Sequence, residues 1–342
     1  MELLTVLEAL CSSVGAGGQA QAADTAAVFL KETCTQVGRD ALGSVTGFRH
    51  CGKKNAPLIL LEAHIDEIGF VVTGIDEQGF VRVAKCGGAD QRVLSAAEVI
   101  VWGDKPYPGL FCSTPPHLSD ADSRRKTPEP DALGIDVGMD SEEARRHISE
   151  GDVVTFSPNF QRMDKKRVCS KSLDDRAGVA SVLYCLDRLK GKELSCDLAV
   201  VFAVQEELGC RGSAAAAYAA APTGAIAVDV SFAWTPDADR RHCGLLDGGP
   251  MIGRAPGLSA RLSDKLIELC READLPYQTE VMGGDTGTDA DNIASSRGGV
   301  PTALLSIPLR YMHTPVEVAS LEDIENTGRL MAEMIEKEGF QR

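Results

Sequence analysis

The chain has 342 residues, 44% of them hydrophobic, and 50 acidic against 35 basic side chains leave a formal net charge of −15. That is enough apolar material for a large core, and by length for two domains, which excludes a disordered or fibrous protein. The negative charge repels nucleic acid and anionic membrane surfaces, so neither is an expected partner.

The opening segment MELLTVLEAL carries Glu2 and Glu8 without a basic flank, and reads as a short amphipathic helix, not a secretory leader. No uninterrupted apolar run reaches membrane-spanning length. PLILLEAH (57–64) is unbroken in its apolar character and predicts a buried parallel strand. From about Phe70 to Arg162 the texture changes. Short pieces such as GFVVTGIDEQGFVRVAK, VLSAAEVIVWG and GDVVTFS, separated by Gly and Pro turns, predict a small β-barrel-like domain inserted at 70–162. Within it, HLSDADSRRKTPEPDA (117–132) is polar and charged, an expected exposed, mobile loop.

Beyond the insert, helical periodicity marks 176–190, 260–274 and Leu321 to Glu338, and an Ala-rich stretch at 214–221 suits a closely packed helix. Between them lie three more apolar strands, DLAVVFAVQ (197–205), GAIAVDVS (224–231) and PTALLSIP (301–308). Strands alternating with helices predict an α/β fold with a mostly parallel central sheet flanked by helices. Residues 1–69 and 163–342 would form that domain, interrupted by the β insert. No internal repeat is present. The 11 cysteines are scattered and form no CxxC pair, which signals neither a disulfide framework nor a thiolate zinc site and fits a reducing cytoplasm. Each reads as a small buried hydrophobe, and Cys210 is expected near the candidate site without a role in it.

Against this frame a few polar residues stand out. His64 closes the first strand, and Asp66 follows two residues later, the spacing of an imidazole ligand oriented by a carboxylate. Asp174 and Asp175 immediately precede a helix, where a plain N-cap worth about 1 kcal/mol is the alternative reading. Glu206 and Glu207 end a wholly apolar strand, and their like charges repel unless solvent or a cation intervenes. Asp229 occupies a strand position that packing alone would give to Val or Ile, and His313 lies just past the last strand. Each has a bland explanation. Together, His64, Asp174, Glu207, Asp229 and His313 fall at or near C-terminal strand ends, where open α/β sheets place their sites. Imidazoles and carboxylates without sulfur are the donors of a catalytic zinc, cobalt or manganese centre. Two divalent cations, the carboxylates of Asp174, Glu207 and Asp229, and one hydroxide sum to zero charge, which leaves Glu206 free as general base.

The strings EAHIDEIGF, STPPHL, SLDDRAG, QEELGCRGS, AVDVS, GTDA and GVPTALLSIPLRYMHTPVEV run in order along almost the whole chain. In this combination the chain resembles the deblocking and glutamyl aminopeptidases, a family known historically also as endoglucanase M. The resemblance implies a di-metal exopeptidase acting on peptide N-termini. His64 and Asp229 would hold one cation, Glu207 and His313 the other, and Asp174 would bridge them. The choice of Asp174 over Asp175 comes from the motif alone. Glu206 would be the base and proton shuttle, and Asp66 the carboxylate behind His64. The resemblance also implies that the insert is a dimerisation domain and that subunits assemble into tetrahedral dodecamers. Arg310 and the stretch around Asp289 would neighbour the substrate. FAWTPDADRRHCGLLDGGP, after Asp229, departs from the pattern, and His242 within it reads as an exposed loop residue. A di-metal deacylase or carboxypeptidase on the same scaffold, or an endoglucanase, are the rival readings.

Overall fold

The computed structural model describes residues 1–17, 20–118, 127–128, 130–337 and 340; most of the loop expected at 117–132 lies outside them. Helices α1 (Leu3–Ser12) and α2 (Gln21–Leu30) precede the strands β1 (Gln36–Arg39), β2 (Val45–Arg49) and β3 (Leu58–His64). The chain then builds β4 (Gly69–Ile75), β5 (Val81–Cys86), β6 (Glu98–Trp102), β7 (Pro106–Phe111), β8 (Ile135–Asp136), α3 (Ser141–His147) and β9 (Val153–Phe156). Next come β10 (Gln161–Arg162), β11 (Arg167–Ser170), α4 (Leu173–Arg188), β12 (Asp197–Ala203), α5 (Arg211–Ala220) and β13 (Gly224–Phe232). Finally β14 (Met251–Arg254), α6 (Ala260–Glu272), β15 (Gln278–Val281), α7 (Asp289–Ala294), β16 (Thr302–Arg310), β17 (Glu317–Ser320) and α8 (Leu321–Glu336) follow.

The described residues form an 11-stranded sheet in the order β1, β2, β12, β3, β13, β16, β17, β11, β10, with β14 and β15 attached beside β16. The four strands expected from the apolar runs are neighbours, β12, β3, β13 and β16, and they run parallel. The pairs on either side of these four are antiparallel, with a further parallel pair in β14 and β15, so the sheet is mixed and largely parallel only at its centre. Chain length between strands decides this. Helical crossovers join the central strands, whereas β1 to β2 and β16 to β17 are joined by a few residues, and such links join only antiparallel neighbours. The edge strands escaped notice because they are short and half-exposed, with too little apolar periodicity to register.

Along β3 successive side chains face opposite ways. Ile59, Leu61 and Ala63 enter the core beneath α1, α2, α4, α6 and α8, and Leu60 enters the one beneath α5 and α7. His64 shares its side with Leu60. The inserted strands close into a six-stranded antiparallel barrel, β4, β5, β8, β7, β6, β9. Phe70 packs edge-on against Phe111 and Phe156 at its centre, ring centroids 5.0 and 5.8 Å away. Among the described residues no helix is long and apolar enough to cross a membrane.

Candidate metal centre

Parallel register brings the polar strand ends together. His64 pairs with Ala203 at the last rung of β3 and β12, and Asp229 pairs with Ser306 across β13 and β16. Glu206 and Glu207 follow the end of β12, and His313 follows β16. Several turn residues here are left-handed although none is glycine: Ser172 (φ 55°), Gln205 (φ 63°), Cys210 (φ 55°) and His313 (φ 62°). Such backbone costs on the order of 1 kcal/mol or more per residue and gathers at functional sites. Asp174 and Asp175 also depart from helical geometry within the first turn of α4.

Asp174 occupies the middle. Its Oδ1 lies 3.0 Å from His64 Nε2 and its Oδ2 lies 3.2 Å from His313 Nε2. Asp229 Oδ1 is 3.9 Å from His64 Nε2, and Glu207 Oε1 is 3.4 Å from His313 Nε2. Asp174, Glu207 and His313 offer donor atoms all within 4.8 Å of one another, and so do His64, Asp175 and Asp229. The second group raises the choice between neighbouring aspartates. Asp175 accepts the Gly178 amide at 3.0 Å and does not line the cleft, whereas Asp174 reaches both imidazoles with separate oxygens. Shared ligation therefore suits Asp174 on geometry as well as on motif.

Both imidazoles present Nε2 to the carboxylates, and each has an oxygen behind Nδ1. For His313 that oxygen is the Gly88 carbonyl at 3.1 Å, which can only accept, so Nδ1 carries a proton and Nε2 is the nitrogen turned to the carboxylates. A Cβ at Gly88 would stand 2.7 Å from His313 Nδ1, so this close approach requires glycine. For His64 it is Asp66, Oδ1 lying 3.5 Å from Nδ1. The same carboxylate accepts the main-chain amides of Glu206 and Glu207 at 3.1 and 3.2 Å, so it also fixes the turn that carries them.

The charge balance is lopsided. Among the described residues no Lys or Arg forms an ion pair with Asp174, Glu206, Glu207 or Asp229, and none lines the cleft. Hydrogen bonds to Asp174 and Glu207 push His313 up to about 11. Burial drives Asp229 well above the ordinary carboxylate range, Asp174 and Glu206 adding to it against the pull of His64. Burial would likewise raise Asp174, but its bonds to His313 and His64 win and hold it low. Burial, with the charges of Asp289 and Glu207, lifts Glu206 to about 7 despite the opposing pull of His64. Burial and a local surplus of carboxylates act together in these shifts, and protons or added cations must neutralise that surplus. Oriented imidazoles, carboxylates, no sulfur among the donors and no cation of the chain's own fit a pair of divalent metal ions.

His64, Asp174, Glu206, Glu207, Asp229 and His313 line one cleft of about 920 Å³, with Asp66 behind His64. Asp285, Thr286, Gly287, Thr288 and Asp291 form part of its wall. Asp289 itself turns away, accepting the Ser213 hydroxyl at 2.5 Å. Arg310 is absent from the lining and donates to the Trp234 carbonyl at 2.9 Å. His242 is exposed and outside the cleft. Cys210 does line it, close to the site as the sequence suggests, with its Sγ 3.3 Å from Glu206 Oε1. Gly88 was missed, although the Gly87–Gly88 pair is the kind of signal that marks close backbone approach.

Comparison with known proteins gives consistent matches along the chain. The lysyl aminopeptidase of Pyrococcus furiosus is 34% identical over 313 residues, covering 90% of this chain and 89% of the relative. An aminopeptidase structure from the archaeon Desulfurococcus kamchatkensis superposes with a TM-score of 0.92 at 32% identity, covering 99% of this chain and 97% of that one. The Pyrococcus horikoshii TET1 peptidase, which can assemble into a tetrahedron or a large octahedral shell, gives 0.84 at 29% identity, with 98% and 99% covered. The family model for M42 glutamyl aminopeptidases matches residues 43–330. With a match of that extent, the chain belongs to the M42 glutamyl aminopeptidase family, and it is a metal-dependent aminopeptidase.

Proposed function

We propose that this chain removes N-terminal residues from peptides at a centre of two divalent cations, zinc or cobalt in the first instance and manganese as a third option. The observation that carries the reading is Asp174, which turns one oxygen to each imidazole in a cage without Lys or Arg among the described residues. His64 and Asp229 would hold one ion, Glu207 and His313 the other, and Asp174 would serve both. When bound, such ions supply Lewis acidity toward the scissile carbonyl and lower the pKa of the attacking water.

The chain's own residues do the rest. Glu206 lines the cleft, has no ion-pair partner among the described residues, and is held at its amide by Asp66. It takes the proton of the attacking water as the new C–O bond forms, and returns it to the leaving amine as the C–N bond breaks. The Gly88 carbonyl keeps the His313 imidazole in one tautomer, and Asp66 faces Nδ1 of His64. The barrel serves self-association, a role supported by relatives that form closed shells. Eleven cysteines without a disulfide support a cytoplasmic setting.

The test is hydrolysis of aminoacyl anilides before and after chelation. Activity should vanish with chelator, return with zinc or cobalt, and fail on substrates with a blocked N-terminus. Chelator-resistant sugar hydrolysis would establish the endoglucanase instead, and cleavage of blocked substrates a deacylase or carboxypeptidase.

A further inference from the structure

Glu317 begins β17, a strand buried at every position, and its side chain is 1% exposed. A buried carboxylate needs a cation, a metal ion or hydrogen-bond donors. Glu317 forms no ion pair with Lys or Arg among the described residues, and it belongs to neither group of clustered metal donors. Donors are what it has. Oε1 accepts the main-chain amide of His313 at 2.9 Å, and Oε2 accepts that of Asp174 at 3.1 Å.

Neither amide has regular secondary structure to satisfy it. Asp174 stands at a non-helical turn (φ −77°, ψ 107°), and His313 is left-handed. An unmet buried amide costs about 1–3 kcal/mol, so both depend on this one side chain. Antiparallel pairing of β11 with β17 sets Glu317 opposite Ser170, close to the turn that carries Asp174. Two N–H groups converging on one side chain call for two acceptor oxygens. A carboxylate has them; glutamine offers one acceptor and one donor. Asp66 treats the amides of Glu206 and Glu207 in the same way.

We propose that Glu317 is a positioning residue that holds Asp174 and His313 in register with each other through their main-chain amides. This rests on the reading of both as metal ligands. Ligand atoms must sit within a few tenths of an ångström of their ideal distances, and partners behind the ligands set that placement.

The test uses full-length Glu317→Gln, stripped of metal and titrated with Zn²⁺ or Co²⁺ against a chromophoric chelator. The dissociation constant should rise roughly 10–100-fold, with kcat at saturating metal falling more than KM changes. A variant that melts earlier but binds metal and turns over as the parent does would reduce Glu317 to a structural residue and overturn the proposal. If the variant does not fold, hydrogen exchange of the unaltered holoenzyme decides. Slow exchange at both the Asp174 and His313 amides supports the clamp, and fast exchange at either overturns it. Asp174→Ala separates the two readings. If it keeps full metal occupancy, the ligand assignment itself fails; if it loses metal while Glu317→Gln is unaffected, only the clamp fails.

Discussion

Two buried charged clusters lie side by side in this molecule and are neutralised by opposite means. In the first, Glu67 lies 2.6 Å from Lys171 Nζ and 3.1 Å from Arg176 Nη2, with no side chain more than 3% exposed. The Gly15 amide donates to the same carboxylate, and Arg176 also donates to the carbonyls of Leu10 and Ser13. This network ties the end of α1 to the loop after β3 and the start of α4. In the second, Asp174, Glu207 and Asp229 face two imidazoles and no Lys or Arg. Yet Glu67 adjoins Asp66, and Arg176 comes two residues after Asp174. Removing an ion from water costs several kcal/mol, so every buried charge must be compensated somewhere. Where the chain supplies its own cations the cluster is structural. Where it withholds them, protons, hydrogen-bond donors or an outside cation must compensate.

That contrast can be broken at either end. The largest expected effect is at the shared carboxylate: Asp174→Ala should lose at least one metal ion per subunit and reduce aminoacyl anilide turnover to background. Metal analysis of the purified variant checks it, and full occupancy would move the bridge to Asp175. Next, Glu206→Gln should keep both ions but lower kcat by about 10²–10⁴, since it removes proton transfer and leaves ligation alone. Near-normal turnover would refute the base assignment. The effect on chemistry should be smallest in the other cluster. Glu67→Gln leaves Lys171 and Arg176 without their counter-charge and should destabilise the fold by about 3–5 kcal/mol in urea unfolding. The folded fraction should retain its metal and its turnover, and a loss of metal with stability intact would show that the clusters are not separate in role.

Much of the centre was legible in the sequence because apolar strands advertise their interruptions. His64 ends and Asp229 interrupts a run that is otherwise buried on both faces, and Glu206 and Glu207 follow another such run. The barrel showed as a change of texture around short alternating strands. Other features carried no such mark. Gly88 belongs to the barrel segment yet orients His313, a contact between residues far apart in the chain. Glu317 sits in a short strand whose pattern says only that it is buried. For Cys210 the sequence suggested nearness to the site, but its contact with Glu206 depends on the turn after β12.

The sequence by itself determined the parallel centre of the sheet, the edge at which its polar residues emerge, and the donor types gathered there. Those follow from hydrophobic periodicity and side-chain chemistry, which are local. Only the tertiary structure set Asp174 between the two imidazoles, turned Arg310 and Asp289 away from the cleft, and set two carboxylates to hold the amides behind the site. Such choices depend on left-handed turns and on register between distant strands, where a rotation of one residue moves an oxygen from one partner to another.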